Sequence, residues 1–346
     1  MATRTQTITD LLTMTADNYY KSGVIHDAFF KSSPTVQYFR KGKGRHETQG
    51  GNQILTNLMY AKNDTVKSYS RYEPFDVSPQ EGFRPAYYDW AQYPGTVSID
   101  GLSEFQNAGK PQIQKLLREK VEQLTMSFSE KINEDLWDLT GDGGTNGNGG
   151  KNINSIPTFV HYDPTASVSI GGIDQSTDTW WRNQFTAATT TSSTFAIFNK
   201  ELRNLANNCG KGSGGMPDLY VADQAMFELY EAGMDSKVRY QASDDATMGF
   251  ENISYKGGKI FWDEHVPDAS TNVNWDGSVL KGTIYALNSN FMKLVVGKGK
   301  DFAPLGFQRP ANQDARVGAW VWYGQLICSN RRKQGVIGAI DITTTD

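Results

Sequence analysis

Between Lys110 and Leu139 the apolar positions are Ile113, Leu117, Val121, Leu124, Phe128, Ile132, Leu136 and Leu139, always three or four residues apart. That spacing is one face of an α-helix, and at 1.5 Å per residue about 30 residues make a rod of roughly 45 Å. Pro111 suits a first helical turn, and Gly141 stands just past the last apolar position, where a helix stop belongs. A one-sided helix of this length lies across a sheet or along a partner. Residues 36 to 100 read differently. Val36, Tyr38, Tyr69, Tyr72, Phe75 and Val77 are strand formers. They are set among the turn-permitting Gly42, Gly44, Gly50 and Gly51 and the helix-denying Pro74, Pro79, Pro85 and Pro94. This stretch is predicted to be extended, with too little apolar material for a core of its own. It reads as a projecting hairpin that takes its order from something else, such as another subunit.

Further along, Ile197, Phe198, Leu202, Leu205 and Ala206 predict a helix over Phe195 to Cys209. Pro217 to Ala222 reads as a short buried strand, after which Asp223 caps a helix carrying Met226, Phe227 and Tyr230. Strands then dominate, in 259–262, 284–287, 293–296 and 319–327. The run Gly141-Asp-Gly-Gly-Thr-Asn-Gly-Asn-Gly-Gly150 is a plausible boundary. Scattered strands with a few helices describe an α+β protein.

With 346 residues the chain is one large domain or two moderate ones. A formal charge of -4 argues against a protein whose main work is coating nucleic acid. The charge is uneven, however. Residues 1 to 72 carry Arg4, Lys21, Lys31, Arg40, Lys41, Lys43, Arg45, Lys62, Lys67 and Arg71 against Asp10, Asp17, Asp27, Glu47 and Asp64. This is either a solvated surface arm or an arm lying against an acidic neighbour or a polyanion. No run of 18 apolar residues predicts a membrane span, and the N-terminus does not read as a secretory signal. Two cysteines, Cys209 and Cys328, make no disulfide framework and fit a reducing cytosol.

No catalytic constellation emerges. Thr145 and Asn152 break a phosphate-cradling pattern at Gly150-Lys151. Gly210-Lys-Gly-Ser-Gly-Gly215 satisfies G-x-G-x-x-G but follows a helix and precedes a strand, the reverse of the dinucleotide-binding context. His26, His46, His161 and His265 lack ligand spacing, and neither cysteine has a CxxC partner. Cys209 reads as a small buried thiol rather than a nucleophile. Asp263-Glu264 fits an acid-base pair no better than a strand-end turn before Pro267. Trp180, Trp181, Trp320, Trp322 and Tyr323 offer either a sugar platform or core and interface packing, with packing favoured by the area such rings bury. Catalytic, cofactor and metal residues are therefore all read as none.

The order of elements and several local phrases together resemble the major capsid (coat) proteins of tailed bacteriophages of the Hong Kong 97-like fold. Gly171-Gly-Ile-Asp-Gln-Ser-Thr-Asp-Thr-Trp-Trp-Arg-Asn-Gln184 looks like the segment after their spine helix. Pro217-Asp-Leu-Tyr-Val-Ala-Asp-Gln-Ala-Met-Phe-Glu-Leu-Tyr230 looks like the buried strand and helix of their axial lobe. Phe250 to Pro267 resembles their F-x-G-x-P-I-x-x-D strand pair, with Gly258 and Lys259 standing where small residues and proline are more usual. Asp263, Leu287-Asn288 and Gly324-Gln325-Leu326 fit the rest of the pattern, which covers about residues 20 to 341.

The resemblance implies an α+β chain with an N-terminal arm (1–35) and an extended β-hairpin loop with peripheral-domain strands (36–100). A spine helix with the rest of the peripheral domain (101–190), a mainly axial domain (191–300) and return strands (301–346) follow. It implies no enzyme activity and no cofactor. Copies would assemble as pentamers and hexamers into an icosahedral shell around double-stranded DNA, in a virion put together in the host cytoplasm. Expected partners are further copies, a separate scaffolding protein, a portal protein, a decoration protein and non-specific contact with packaged DNA, with no membrane. The scaffolding protein is expected to be separate because the extended loop begins by about residue 36. An encapsulin-like nanocompartment shell and an aromatic-rich carbohydrate-binding protein are the alternatives. Deleting residues 42 to 70 is expected to leave a folded monomer that no longer assembles.

Overall fold

The computed structural model describes residues 34–41, 44–106, 110–139, 146–187, 195–234, 253–267 and 281–341. The expected N-terminal arm up to residue 33 and the glycines from Gly141 to Gly144 lie outside them. The first element is helix α1 (Pro34–Lys41), which corrects the expectation of extended chain from residue 36. Pro34 sits in the first turn, where its missing N–H has no helical partner to lose. Val36 and Phe39, one turn apart, are each 1% exposed. These strand formers are the buried side of a helical turn, so packing overrides propensity.

Beyond α1 the chain is extended as expected, through β1 (Arg45–Thr48), β2 (Ile54–Met59), β3 (Phe83–Tyr88) and β4 (Ala91–Asp100). After the short α2 (Gly101–Gln106) comes the long helix α3 (Lys110–Leu136). Its buried side carries the predicted Leu117, Val121, Phe128, Ile132 and Leu136. It stops three residues before Leu139 because its last turn tightens. The Trp137 N–H is shared between the carbonyls of Asn133 (3.3 Å) and Glu134 (3.1 Å), and the Asp138 N–H bonds Asp135 (3.4 Å).

Apart from single helical turns at Gly147–Gly150, Thr179–Trp181 and Arg331–Lys333, the remaining elements are α4 (Ile156–Phe159), β5 (Ser169–Ile170), β6 (Ile173–Asp174), β7 (Gln184–Ala187), α5 (Phe195–Gly210), β8 (Leu219–Ala222), α6 (Gln224–Met234), β9 (Ile253–Tyr255), β10 (Gly258–Trp262), β11 (Lys281–Leu287), β12 (Met292–Gly297), β13 (Ala303–Gln308), β14 (Ala315–Cys328) and β15 (Gly335–Asp341). Asp223 caps α6 as predicted, its carboxylate accepting the Met226 N–H at 3.1 Å. At the β9–β10 turn Lys256 and Gly257 have φ of 47° and 84°, the left-handed pair of a tight hairpin.

Two sheets organise these strands. One runs β1-β12-β14-β13, with β4 also paired along β14 from Asp100 opposite Ala315 to Ala91 opposite Gly324. The other runs β7-β15-β11-β8-β10-β9. Helix α3 lies across β4, where Gly95 leaves room for Phe128 and Leu124. Strand β8 is buried on both faces. Leu219 and Val221 belong to the large core under α3, while Tyr220 and Ala222 join a second core with Phe198, Leu202, Met226 and Ile337 beneath α5 and α6.

Helix α1 ties these parts together. The Asp263 carboxylate at the end of β10 accepts Thr35 Oγ1 (2.7 Å) from α1 and Asn133 Nδ2 (2.8 Å) from α3. The Arg40 guanidinium grips Asp301 through two hydrogen bonds, at 2.6 and 3.1 Å.

Candidate functional site

The sequence-predicted chemistry disperses in three dimensions. The Gly210–Gly215 loop leaves α5 and enters β8, and Lys333 Nζ donates to its Lys211 carbonyl at 2.9 Å. Carbonyls facing a cation do not cradle a phosphate. His161 is buried and tied to the backbone of Asp163, and among the described residues no group of three metal-ligating side chains converges. Cys209 and Cys328 are buried free thiols, each pushed up to about 12 by burial. Asp263 is the turn residue and packing hub described above, 3% exposed. Trp181, Trp320 and Trp322 are at most 3% exposed, which removes them as a sugar platform. Trp180 is half-buried and stacked on Tyr60. Among the described residues no helix is long and apolar enough to cross a membrane.

The hairpin presents something different. Among the described residues strands β2 and β3 pair only with one another, from Ile54 opposite Tyr88 to Met59 opposite Phe83, and residues 60–82 continue beyond them without regular strand. Ile54, Leu58, Ala86 and Tyr88 anchor its base in the large core. Its other face is apolar and open: Leu55, Met59, Phe83 and Tyr87 alternate with the buried residues. Farther out Val66, Tyr72, Phe75 and Val77 are each at least 71% exposed. A single chain gains nothing by showing water so many large apolar side chains on a two-stranded ribbon, itself marginal in isolation.

The far end is nonetheless shaped. Tyr69 and Phe75 meet edge to face at 4.9 Å, and the Glu73 N–H closes a turn on Ser70 O at 3.1 Å. The Ser78 hydroxyl, with Lys67 at 3.0 Å, holds the Asp76 carboxyl down to about 2. Tyr72 stands at that turn, 96% exposed. The outer side of α3 adds Met126 and α2 adds Leu102 and Phe105, all at least 63% exposed. Sequence reading found the hairpin but not these three. A signal for the hairpin face was present: β2 is apolar at Leu55 and Met59 as well as at Ile54 and Leu58, the pattern of a strand covered on both sides.

No family model and no curated protein matches the sequence. Solved structures do. The capsid asymmetric unit of cyanophage A-1(L) aligns over 85% of this chain and 89% of its own, with 14% identity and a TM-score of 0.61. The holo-SrpI encapsulin complex from Synechococcus elongatus PCC 7942 aligns over 91% and 90%, with 13% identity and a TM-score of 0.56. The capsid of an empty GTA particle aligns over 89% and 90%, with 10% identity and a TM-score of 0.54. The chain therefore has the Hong Kong 97-like α+β capsid fold, in which α3 is the spine helix and the β2–β3 hairpin the extended loop.

Proposed function

We propose that this chain is a major capsid protein, building by self-assembly the icosahedral shell that encloses the double-stranded DNA of a tailed phage. The observation that carries this reading is the β2–β3 hairpin, whose exposed apolar face has no partner among the described residues of its own chain, on a fold shared with capsids. Its role is structural rather than catalytic. The hairpin is covered by a neighbouring copy's spine helix, and pentamers and hexamers use the same surfaces in slightly different poses. A scaffolding protein, a portal protein and a decoration protein complete the assembly, and contact with packaged DNA is non-specific. The virion is its destination and the host cytoplasm its site of assembly. Residues up to 35 serve as the arm, the sheet under α3 as the peripheral domain, and the sheet under α5 and α6 as the axial domain. The likeness to an encapsulin favours a second reading, a nanocompartment shell holding a protein cargo.

Size exclusion with light scattering tests the proposal. The parent chain is expected as rings or shells far above 38.5 kDa. The loop-shortened form is expected as a folded monomer. The span 42–70 is not the one to remove, because β1 pairs with β12 and Ile54 and Leu58 are core residues. Replacing residues 61–81 by a two-residue turn spares them. Nuclease-protected DNA inside parent shells supports the phage reading, and a protein cargo without DNA supports the nanocompartment.

A further inference from the structure

Within the chain the hairpin is met by a brace, the segment from β5 to Trp181. Its own footing is buried. Trp181 is 1% exposed and donates from Nε1 to Ile170 O at 3.2 Å. The fully buried Arg331 lies over its ring at 5.8 Å, donating to Phe159 O (2.7 Å) and Gln175 Oε1 (2.9 Å). From this footing the brace reaches the hairpin at several points. The Gly171 carbonyl accepts the Tyr87 N–H at 3.2 Å. Arg84 Nη1 on β3 bonds Asp178 Oδ2 at 2.7 Å. Just past β2, the Tyr60 ring stacks on Trp180 at 5.3 Å and 29°.

Both distal contacts pass through one carboxylate. Asp178 Oδ2 takes Arg84, while Oδ1 accepts Trp180 Nε1 at 3.2 Å and so orients the indole that Tyr60 rests on. Tyr60 in turn donates its N–H to Gly82 O at 3.0 Å, so the braced point is where the ribbon ends and the free loop begins. Among the described residues strands β2 and β3 hydrogen-bond to no third strand, which leaves these attachments and the buried residues at its base to fix the ribbon's direction. We infer that Asp178 is the point at which the hairpin's projection angle, and with it the curvature joining neighbouring copies, is fixed. Small rotations at a repeated contact decide whether rings close and on what radius. This inference rests on the assembly reading above.

The test compares shells of the parent, Asp178→Ala, Trp180→Ala, Arg84→Ala and the reversed pair Arg84→Glu/Asp178→Lys by electron microscopy. Circular dichroism and hydrogen exchange on the unassembled chains accompany it. The single variants are expected to keep the parent's circular dichroism, to exchange faster at residues 54–60 and 83–88, and to give a shifted or broadened distribution of particle diameters. The reversed pair restores the ion pair without the indole acceptor, so its diameters return part of the way. Parent-like diameters and exchange in all the single variants overturn the inference. Arg84→Ala, at a position 44% exposed, keeps the test open where Asp178→Ala or Trp180→Ala does not fold. A parent that forms no shells overturns the assembly reading itself, and the exchange data then judge the brace alone.

Discussion

Gly95→Ala puts a single methyl where the spine helix meets the sheet. A Cβ at Gly95 would lie 2.2 Å from Phe128 Cε2 and 2.7 Å from Leu124 Cδ1, both on α3. Carbon atoms in contact sit about 3.5–4.0 Å apart, so helix and strand must separate by more than ~1 Å or the Phe128 ring must turn away. The ring has little freedom to turn. It packs edge to face on Phe302 at 5.4 Å, and Phe302 is stacked in turn on the buried Trp322 at 6.4 Å. Backbone preference alone would favour alanine here by about 0.5–1 kcal/mol, since glycine in a strand loses more entropy on folding. Overpacking of a closed core opposes this at about 1–3 kcal/mol, so the net effect is destabilising. Guanidinium unfolding of the unassembled chain, followed by tryptophan fluorescence, measures it. Phe128→Leu in the same chain should recover part of the loss, giving a coupling of about 1 kcal/mol between the sites. A Gly95→Ala chain as stable as its parent would refute the reasoning, because the close approach of α3 to β4 would then not exist.

Ile132→Ala, at a position 1% exposed on the buried side of α3, should cost about 2–5 kcal/mol in the same assay, and a loss under ~1 kcal/mol would contradict the burial. Tyr72→Ser, 96% exposed at the hairpin's far turn, should leave the unfolding midpoint unchanged while lowering the yield of assembled particles. Unaltered assembly would remove Tyr72 from the contact. Cys209 and Cys328, with thiols pushed up to about 12, should stay unreactive to a thiol reagent at pH 8 until the chain is unfolded. The same shift has a consequence for stability. These thiols ionise near 9.0 when exposed, so the folded chain holds their protons more tightly. That contribution is complete below pH 9 and is lost as the pH rises towards 12, which alkaline unfolding scans can follow.

The spine helix was legible because one side of it is buried against the large core along its length, which imposes an unbroken three-and-four spacing on Leu117 through Leu136. The strand β8 and the Asp223 cap were legible because their signals are local. Helix α1 was not: Val36, Tyr38 and Phe39 carry strand propensity, and only contacts with distant Asp218, Asp263 and Asp301 make the turn pay. The hairpin's existence followed from its glycines and prolines. Its two-faced character showed in Leu55 and Met59, but the brace through Asp178 joins residues 94 positions apart, a distance no local pattern spans.

The central claim is that a neighbouring copy covers the hairpin's exposed apolar face. Cryo-electron microscopy of the purified protein, expressed with and without its neighbouring reading frames, tests it directly. The account predicts closed shells in which residues 54–88 of each copy lie against the spine helix of the next, with Met59, Tyr72 and Val77 covered. A 38.5 kDa monomer under both conditions, or shells whose hairpins stand free in solvent, would contradict it.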